Sequence, residues 1–369
     1  MKVPIFDLRV KNKLIREELR DSLEKVISKG RLFLGDQVDE LEKKVAKFLG
    51  VKYALGVSSG SSAIYLALRS SGIKKNDEVI TTPLSWIIPS NAIVAANAIP
   101  VFADVRNDFN IDPNSISLNI TNKTKVILPM HYAGHMCEMK KIKKIAIKNK
   151  LKIVEDAAQA FGASIDNKKA GTFSSAAGFS MNPMKMFGGY GEGGMVVTNS
   201  KKIFDKLKIL RHAGTTSDYK KIVTNNCLEV SLNHKMDTIT ASFLLVAFKH
   251  LKEKKSRIDN IADFLNKNLH KNIISQNVAD NEVHGRYVYP IIIDKNRDKL
   301  RNYLQKNNIE TKIFNYPLIY NAPAFKKYKK SKLKTAEKLL KTSLIIPCHD
   351  KLSDNQIEYM VKTINNFFN

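Results

Sequence analysis

Between residues 50 and 200 the chain alternates short apolar runs with helix-like segments, and this restricts the possible fold more than any other feature. Strand-like runs fall at 53–57, 78–82, 100–103, 125–130, 151–155, 176–179 and 195–198. Helical stretches near 62–69, 89–96 and 138–149 lie between them. Apolar strands separated by helices build a mostly parallel sheet sandwiched by helices, here of seven strands. Ligands of such sheets gather outside the carboxyl ends of the strands. A helix over 238–252 then leads out of this region. Beyond 255 the pattern becomes a smaller α+β unit, with a strand at 287–293, a helix at 298–307 and a closing helix at 354–368. The expected organisation is a large domain over 1–252, including an N-terminal segment, and a small C-terminal domain over 253–369. A chain of 369 residues is ample for both.

Composition narrows the function classes. The chain is 43% apolar and 26% charged, as soluble globular proteins are, but its net charge is +26. Either it binds a polyanion or its composition is biased towards lysine. The lysines are scattered in short clusters such as Lys140-Lys141 and Lys326-Lys327, with no basic tail. A nucleic-acid surface would favour arginine, whose planar fork reads phosphates and bases in pairs. No nucleic-acid partner is expected, although a positive field would help recruit a diphosphate-bearing substrate. Cys137, Cys227 and Cys348 are odd in number and lack metal-ligand spacing, which fits a reducing compartment and excludes a zinc site or a disulfide framework. The first residues carry no apolar signal-peptide core, and Pro89, Asn91, Asn97 and Pro100 interrupt the apolar stretch at 86–103. The expected location is cytoplasmic, with no membrane partner.

Three motifs sit at the ends of expected strands. Ser58-Ser59-Gly60-Ser61-Ser62 joins the first strand to a helix, where free backbone N–H groups bind phosphate and glycine permits close approach. An ordinary serine N-cap reads the same way. Asp156 closes the run 151–155. A carboxylate there can keep a pyridine nitrogen protonated and so make the ring an electron sink. Gln159 follows about a turn later and can donate to a phenolic oxygen. A helix-capping role for Asp156 stays open. Lys185 lies between the run 176–179 and a loop holding Gly188, Gly189, Gly191, Gly193 and Gly194. Held near a cleft, its amine loses hydration and becomes the neutral nucleophile that attacks an aldehyde. Ser180 precedes it and can offer a hydroxyl to a phosphate. The glycine loop lacks dinucleotide spacing and leads into a strand. Together the pieces describe a pyridoxal 5'-phosphate (PLP) site; none does so alone. Trp86, the only tryptophan, suits stacking on a pyridine ring or a place in the core. His131 is either a site residue or a satisfied core histidine.

With these residues in hand, the chain resembles the DegT/DnrJ/StrS family of PLP-dependent sugar aminotransferases, of fold type I. The likeness starts at Val3-Pro4-Ile5-Phe6-Asp7-Leu8 and runs through Val57-Ser58-Ser59-Gly60-Ser61-Ser62, Glu155-Asp156-Ala157-Ala158-Gln159 and the Lys185–Gly194 segment to Tyr316-Pro317. The resemblance implies that Lys185 carries the cofactor and shuttles a proton, and that Asp156 pairs with the ring nitrogen and Gln159 with the phenolic oxygen. It puts Trp86 over the ring, Gly60, Ser61 and Ser180 on the phosphate, and Asn233 on the phosphate of a neighbouring subunit in a homodimer. His131, Asn182 and Tyr316 are the substrate-contact candidates. The implied reaction moves an amino group, from glutamate, onto a nucleotide-linked keto-deoxysugar through the PLP and PMP forms of the cofactor. Family members usually carry Thr at the position of Ser61, often His or an aromatic residue at that of Asn182, and often Gln at that of Thr240. Dehydratases of the family replace the lysine with His, so Lys185 favours transamination. A keto-cyclitol aminotransferase, a PLP-dependent sugar dehydratase and a non-catalytic PLP-binding regulator are the alternatives.

Overall fold

In the computed structural model, which describes residues 1–216, 226–313, 316–329 and 332–368, seven strands form the central sheet. They are β1 (Tyr53–Val57), β2 (Glu78–Thr81), β3 (Ile99–Phe102), β4 (Thr124–Ile127), β5 (Lys152–Asp156), β6 (Ala176–Ser180) and β7 (Gly194–Thr198). Their order across the sheet is β1-β7-β6-β5-β4-β2-β3. β7 runs antiparallel to both β1 and β6; the other neighbours are parallel. Nearly every strand residue is buried, the pattern of a sheet covered on both faces.

Helices α1 (Lys13–Lys29), α2 (Asp36–Leu49), α3 (Gly60–Ser70), α4 (Ile88–Ala95), α5 (Pro113–Leu118), α6 (Met139–Lys148) and α7 (Lys201–Arg211) surround or approach this sheet. α3 packs on β6 and β7, and α2 on β1. α3 buries Ile64, Leu66 and Leu68, while its N-cap Ser59 accepts a hydrogen bond from the Ser62 N–H. The expected single helix over 238–252 is two helices, α8 (Thr238–Lys249) and α9 (Leu251–Asn268), meeting at His250. α9 continues across the expected 252/253 division. The apolar core is likewise continuous, running from Val38 and Ile153 to Ile258, Leu300 and Met360.

The C-terminal unit holds a second, antiparallel sheet of β8 (Ile274–Ser275), β9 (Tyr289–Ile292) and β10 (Ser343–Ile346), with β9 in the middle. α10 (Arg297–Lys306), α11 (Lys334–Thr342) and α12 (Asp354–Asn366) accompany it. The N-terminal stretch belongs to this unit by its hydrogen bonds: the Val3 N–H donates to Asn308 O and the Glu310 N–H donates to Val3 O, each at 2.9 Å. Among the described residues no helix is long and apolar enough to cross a membrane, and no group of His, Cys, Asp and Glu side chains could hold a metal ion.

Candidate functional site

Sheet order gathers the three motifs. Because β1, β7, β6 and β5 are consecutive neighbours, Val57 lies opposite Gly194, Gly194 opposite Ser180, and Gly178 beside Asp156. β1 delivers Ser58 to Ser62 to the N-terminus of α3, β6 ends at Ser180, and β5 ends at Asp156. The approach is close. A Cβ on Gly60 would stand 2.6 Å from Ser180 Cβ, and one on Gly194 would stand 2.2 Å from Ser59 O. No other residue fits at either position without moving backbone. The result is a tight cradle with free N–H groups at the start of α3, of the kind that holds a phosphate. Ser61 is exposed there, and Ser180 Oγ accepts from the Asn182 N–H at 3.4 Å.

Asp156 is buried, and its Oδ1 accepts one hydrogen bond, from the Ala158 N–H at 3.0 Å. Burial pushes its pKa up to about 6, against the pull of that N–H and of the Lys185 charge. Lys185 keeps part of its side chain in contact with solvent, yet protein crowds its amine. Burial holds its pKa down to about 8, with Asp156 and Glu192 opposing. Each therefore feels the other's charge. Lys185 Nζ sits 3.7 Å from the centroid of the Tyr287 ring, and among the described residues no carboxylate lies within ion-pair distance of it. The lysine edges a cleft of about 930 Å³ that is also lined by Phe6, Lys254, Arg286, Tyr287 and His349. Asp156 does not line that cleft.

Gln159 sits in a turn rather than a helix. Its Oε1 accepts from the Ala133 N–H at 2.7 Å, which fixes the amide and leaves its NH2 as a donor. Asn182 Nδ2 donates to Glu192 Oε1 at 2.6 Å, and its Oδ1 accepts from the Met184 N–H. Trp86 is 67% exposed, which removes the core reading of that residue. Tyr316 and Asn233 are exposed as well. Most of the loop 212–224, expected to face the substrate, and Asn315 lie outside the described residues.

His131 matches the core reading. It has no exposed surface, its Nδ1 accepts from the Cys137 N–H at 3.2 Å, and its Nε2 therefore carries the hydrogen that meets Glu155 Oε2 at 3.0 Å. Both ring nitrogens are occupied, so the expected substrate contact has no free polar atom to make it. Three residues at the site were not anticipated: Glu155, Tyr287 and Lys254. Glu155 precedes the Asp156 motif and Tyr287 opens the expected strand at 287–293, but neither position carries a local signal of its role. Lys254 Nζ donates to Lys185 O at 3.0 Å and so anchors the lysine's backbone.

A desolvated lysine amine, a buried carboxyl within its Coulombic reach and a close-packed serine-glycine turn at a helix N-terminus suit the cofactor of a PLP-dependent transferase of fold type I. The match to known proteins is specific. Residues 13–365 match the model of the DegT/DnrJ/EryC1/StrS aminotransferase family, and the chain belongs to that family. It is 35% identical to a pleiotropic regulatory protein of Geobacillus stearothermophilus, over 100% of this chain and 99% of that one. It is 31% identical to dTDP-3-amino-3,6-dideoxy-alpha-D-galactopyranose transaminase of Aneurinibacillus thermoaerophilus, over 99% of each chain. The X-ray structure of DesV from S. venezuelae, in complex with a ketimine intermediate, superposes with a TM-score of 0.92 at 29% identity, covering 99% of this chain and 98% of that one. The protein is a PLP-dependent sugar aminotransferase, and relatives of it act on nucleotide-linked sugars.

Proposed function

We propose that the enzyme transfers an amino group from L-glutamate to a keto carbon of a dTDP-, UDP- or GDP-linked keto-deoxysugar, in aminosugar or surface-glycan biosynthesis. The observation that carries this reading is the placement of the Lys185 amine and the buried Asp156 carboxyl within Coulombic reach of each other, burial lowering the first to about 8 and raising the second to about 6. Lys185 then has a neutral fraction near neutral pH large enough to attack a carbonyl and to accept a proton. Bound there, PLP supplies the electron sink that makes the carbon bearing the amino group acidic.

The chain's own residues do the rest. Lys185 holds the cofactor, takes the proton from the donor's carbon and hands it on; in the second half-reaction it moves a proton in the opposite direction on the keto-sugar. Asp156 holds a proton at the ring nitrogen, and its burial keeps that charge pair strong. The Gln159 NH2 donates to the phenolic oxygen. Gly60, Ser61 and Ser180 bind the phosphate, and Trp86 covers the ring. Asn182 and Tyr316 border the sugar. The partner subunit's Asn233 completes the phosphate site in a homodimer. Exposed apolar side chains around that segment (Leu228, Val230 and Leu232) support an interface there. The division into a 1–252 large domain and a 253–369 small domain is proposed as the functional one, with the cleft between them.

The experiment is incubation of purified enzyme with glutamate and a panel of nucleotide keto-sugars, with products weighed by mass spectrometry. An aminated nucleotide sugar is the expected product. The regulatory name of the Geobacillus relative favours one second reading, a PLP-binding protein without turnover. Bound cofactor that glutamate fails to convert to its aminated form would select it.

A further inference from the structure

The amine of Lys185 must be somewhere when the cofactor is carrying substrate instead, and it must then hold a proton without losing its aim. The described part of the site offers that amine no carboxylate at contact distance. Asp156 and Glu192 are the acids whose charge reaches it, Asp7, Glu253 and Asp350 line the same cleft, and Glu192 Oε1 already accepts from Asn182 at 2.6 Å. Lys11, Lys254, Arg257, Arg286 and Lys351 add positive charge to the same cleft, with Arg286 paired with Asp259 and Arg257 with Asp354. What does face Nζ is a ring, 3.7 Å away at the centroid of Tyr287. An ammonium within about 6 Å of an aromatic face is attracted by the ring quadrupole, and more strongly where water is scarce.

Tyr287 is well placed to keep still. Its N–H donates to Ala133 O at 2.9 Å, which ties it to the turn following β4, two residues from His131 and close to the end of β5. Phe6 stacks on its ring, with centroids 6.5 Å apart at 26°. Burial raises the phenol to about 12, so the ring stays neutral and its face stays electron-rich. The backbone of Tyr287 is therefore fixed through Ala133 and its ring through Phe6, while Lys254 fixes the backbone of Lys185.

We propose that Tyr287 is a positioning residue for transamination: its ring face is the berth to which the Lys185 amine returns, neutral, when it is released from the cofactor, and over which it is held as an ammonium once it has taken a proton. The proton taken from the donor's carbon resides on Nζ, is stabilised over the ring, and leaves again to the cofactor. No further reactant is needed. This inference rests on Lys185 being the cofactor-bearing amine.

Two full-length variants test it, Tyr287→Phe and Tyr287→Leu. Peptide-resolved labelling of the cofactor-free protein with acetic anhydride, from about pH 6 to about pH 10, reads the titration of Lys185 without any turnover. Loss of the ring face lowers the apparent pKa of Lys185 in Tyr287→Leu by about half a unit to one unit, and Tyr287→Phe restores it, because the quadrupole survives without the hydroxyl. In single turnover with glutamate, Tyr287→Leu slows the first half-reaction by about 3- to 10-fold while Tyr287→Phe stays within twofold. An unchanged Lys185 titration in Tyr287→Leu overturns the berth, as does a Phe variant that behaves like Leu. Either result leaves the assignment of Lys185 intact. That assignment fails separately, if borohydride fixes no cofactor on Lys185 of the unaltered enzyme.

Discussion

Glu155 and Asp156 are adjacent on β5 and equally buried, yet their surroundings are opposite. Successive strand residues face opposite sides of a sheet, so one carboxylate looks back into the protein and the other towards the cradle. Glu155 accepts four hydrogen bonds: His131 Nε2 at 3.0 Å, the Gly171 N–H at 2.9 Å, the Phe173 N–H at 2.9 Å and Ser174 Oγ at 2.7 Å. Burial works to raise its pKa, but the bonds from His131, Ser174 and Gly171 outweigh it and hold the carboxyl below the ordinary range. Asp156 accepts one, and burial wins. A saturated carboxylate fastens the loop 171–174 behind the sheet. An undersatisfied one, with an amine in Coulombic reach, keeps bonding capacity for a guest.

Substitutions in front of and behind the strand should therefore fail differently. Lys185→Ala is expected to cost at least about 10⁴-fold in turnover, since it removes both the nucleophile and the proton carrier, while folding is retained. Asp156→Asn, which can no longer hold a negative charge at the ring nitrogen, should lower kcat by about 10²- to 10³-fold with little effect on unfolding. Glu155→Gln should do the reverse. It leaves buried donors without acceptors and costs about 2–4 kcal/mol in chemical denaturation of the loaded enzyme, with turnover per folded molecule within tenfold. A Glu155→Gln enzyme that unfolds normally but is inactive would erase the distinction between the two carboxylates. Gly60→Ala, forced against Ser180, should weaken cofactor affinity by about tenfold, whereas Gly191→Ala, with nothing within 4 Å, should leave it unchanged.

The smallest effect is in pH. Because burial depresses the Lys185 pKa from its ordinary 10.5 to about 8, the attacking neutral amine forms as pH rises towards 8 and is already the major species between about 8 and 10. The rate of cofactor uptake by the cofactor-free enzyme should climb with pH and level off just above 8. A climb that continues towards 10 would mean that the amine is not desolvated.

The front of the strand was far more legible in sequence than the back. Ser58–Ser62 and Asp156 stand at strand ends and Lys185 lies between a strand and a glycine-rich loop, so local pattern places them, and the sheet topology brings such ends together. The four donors to Glu155 come from 131, 171, 173 and 174, and only the folded chain collects them. His131 shows the same limit: its burial depends on Glu155 and Cys137, which lie on other segments. The pairing of Val3 with Ile309 and the break between α8 and α9 at His250 were equally unreadable, since no proline or glycine marks the break. The exposure of Trp86 likewise depends on how β2's end meets the loop around it. Periodicity located the strands to within a few residues and could not say which neighbours would saturate a buried charge.

The most direct test is to reduce the cofactor-loaded enzyme with borohydride, digest it and locate the pyridoxyl group by mass spectrometry. The group is expected on the peptide containing Lys185, and to be absent from Lys185→Ala. Its appearance on another lysine, above all the neighbouring half-buried Lys254, would contradict the site described here.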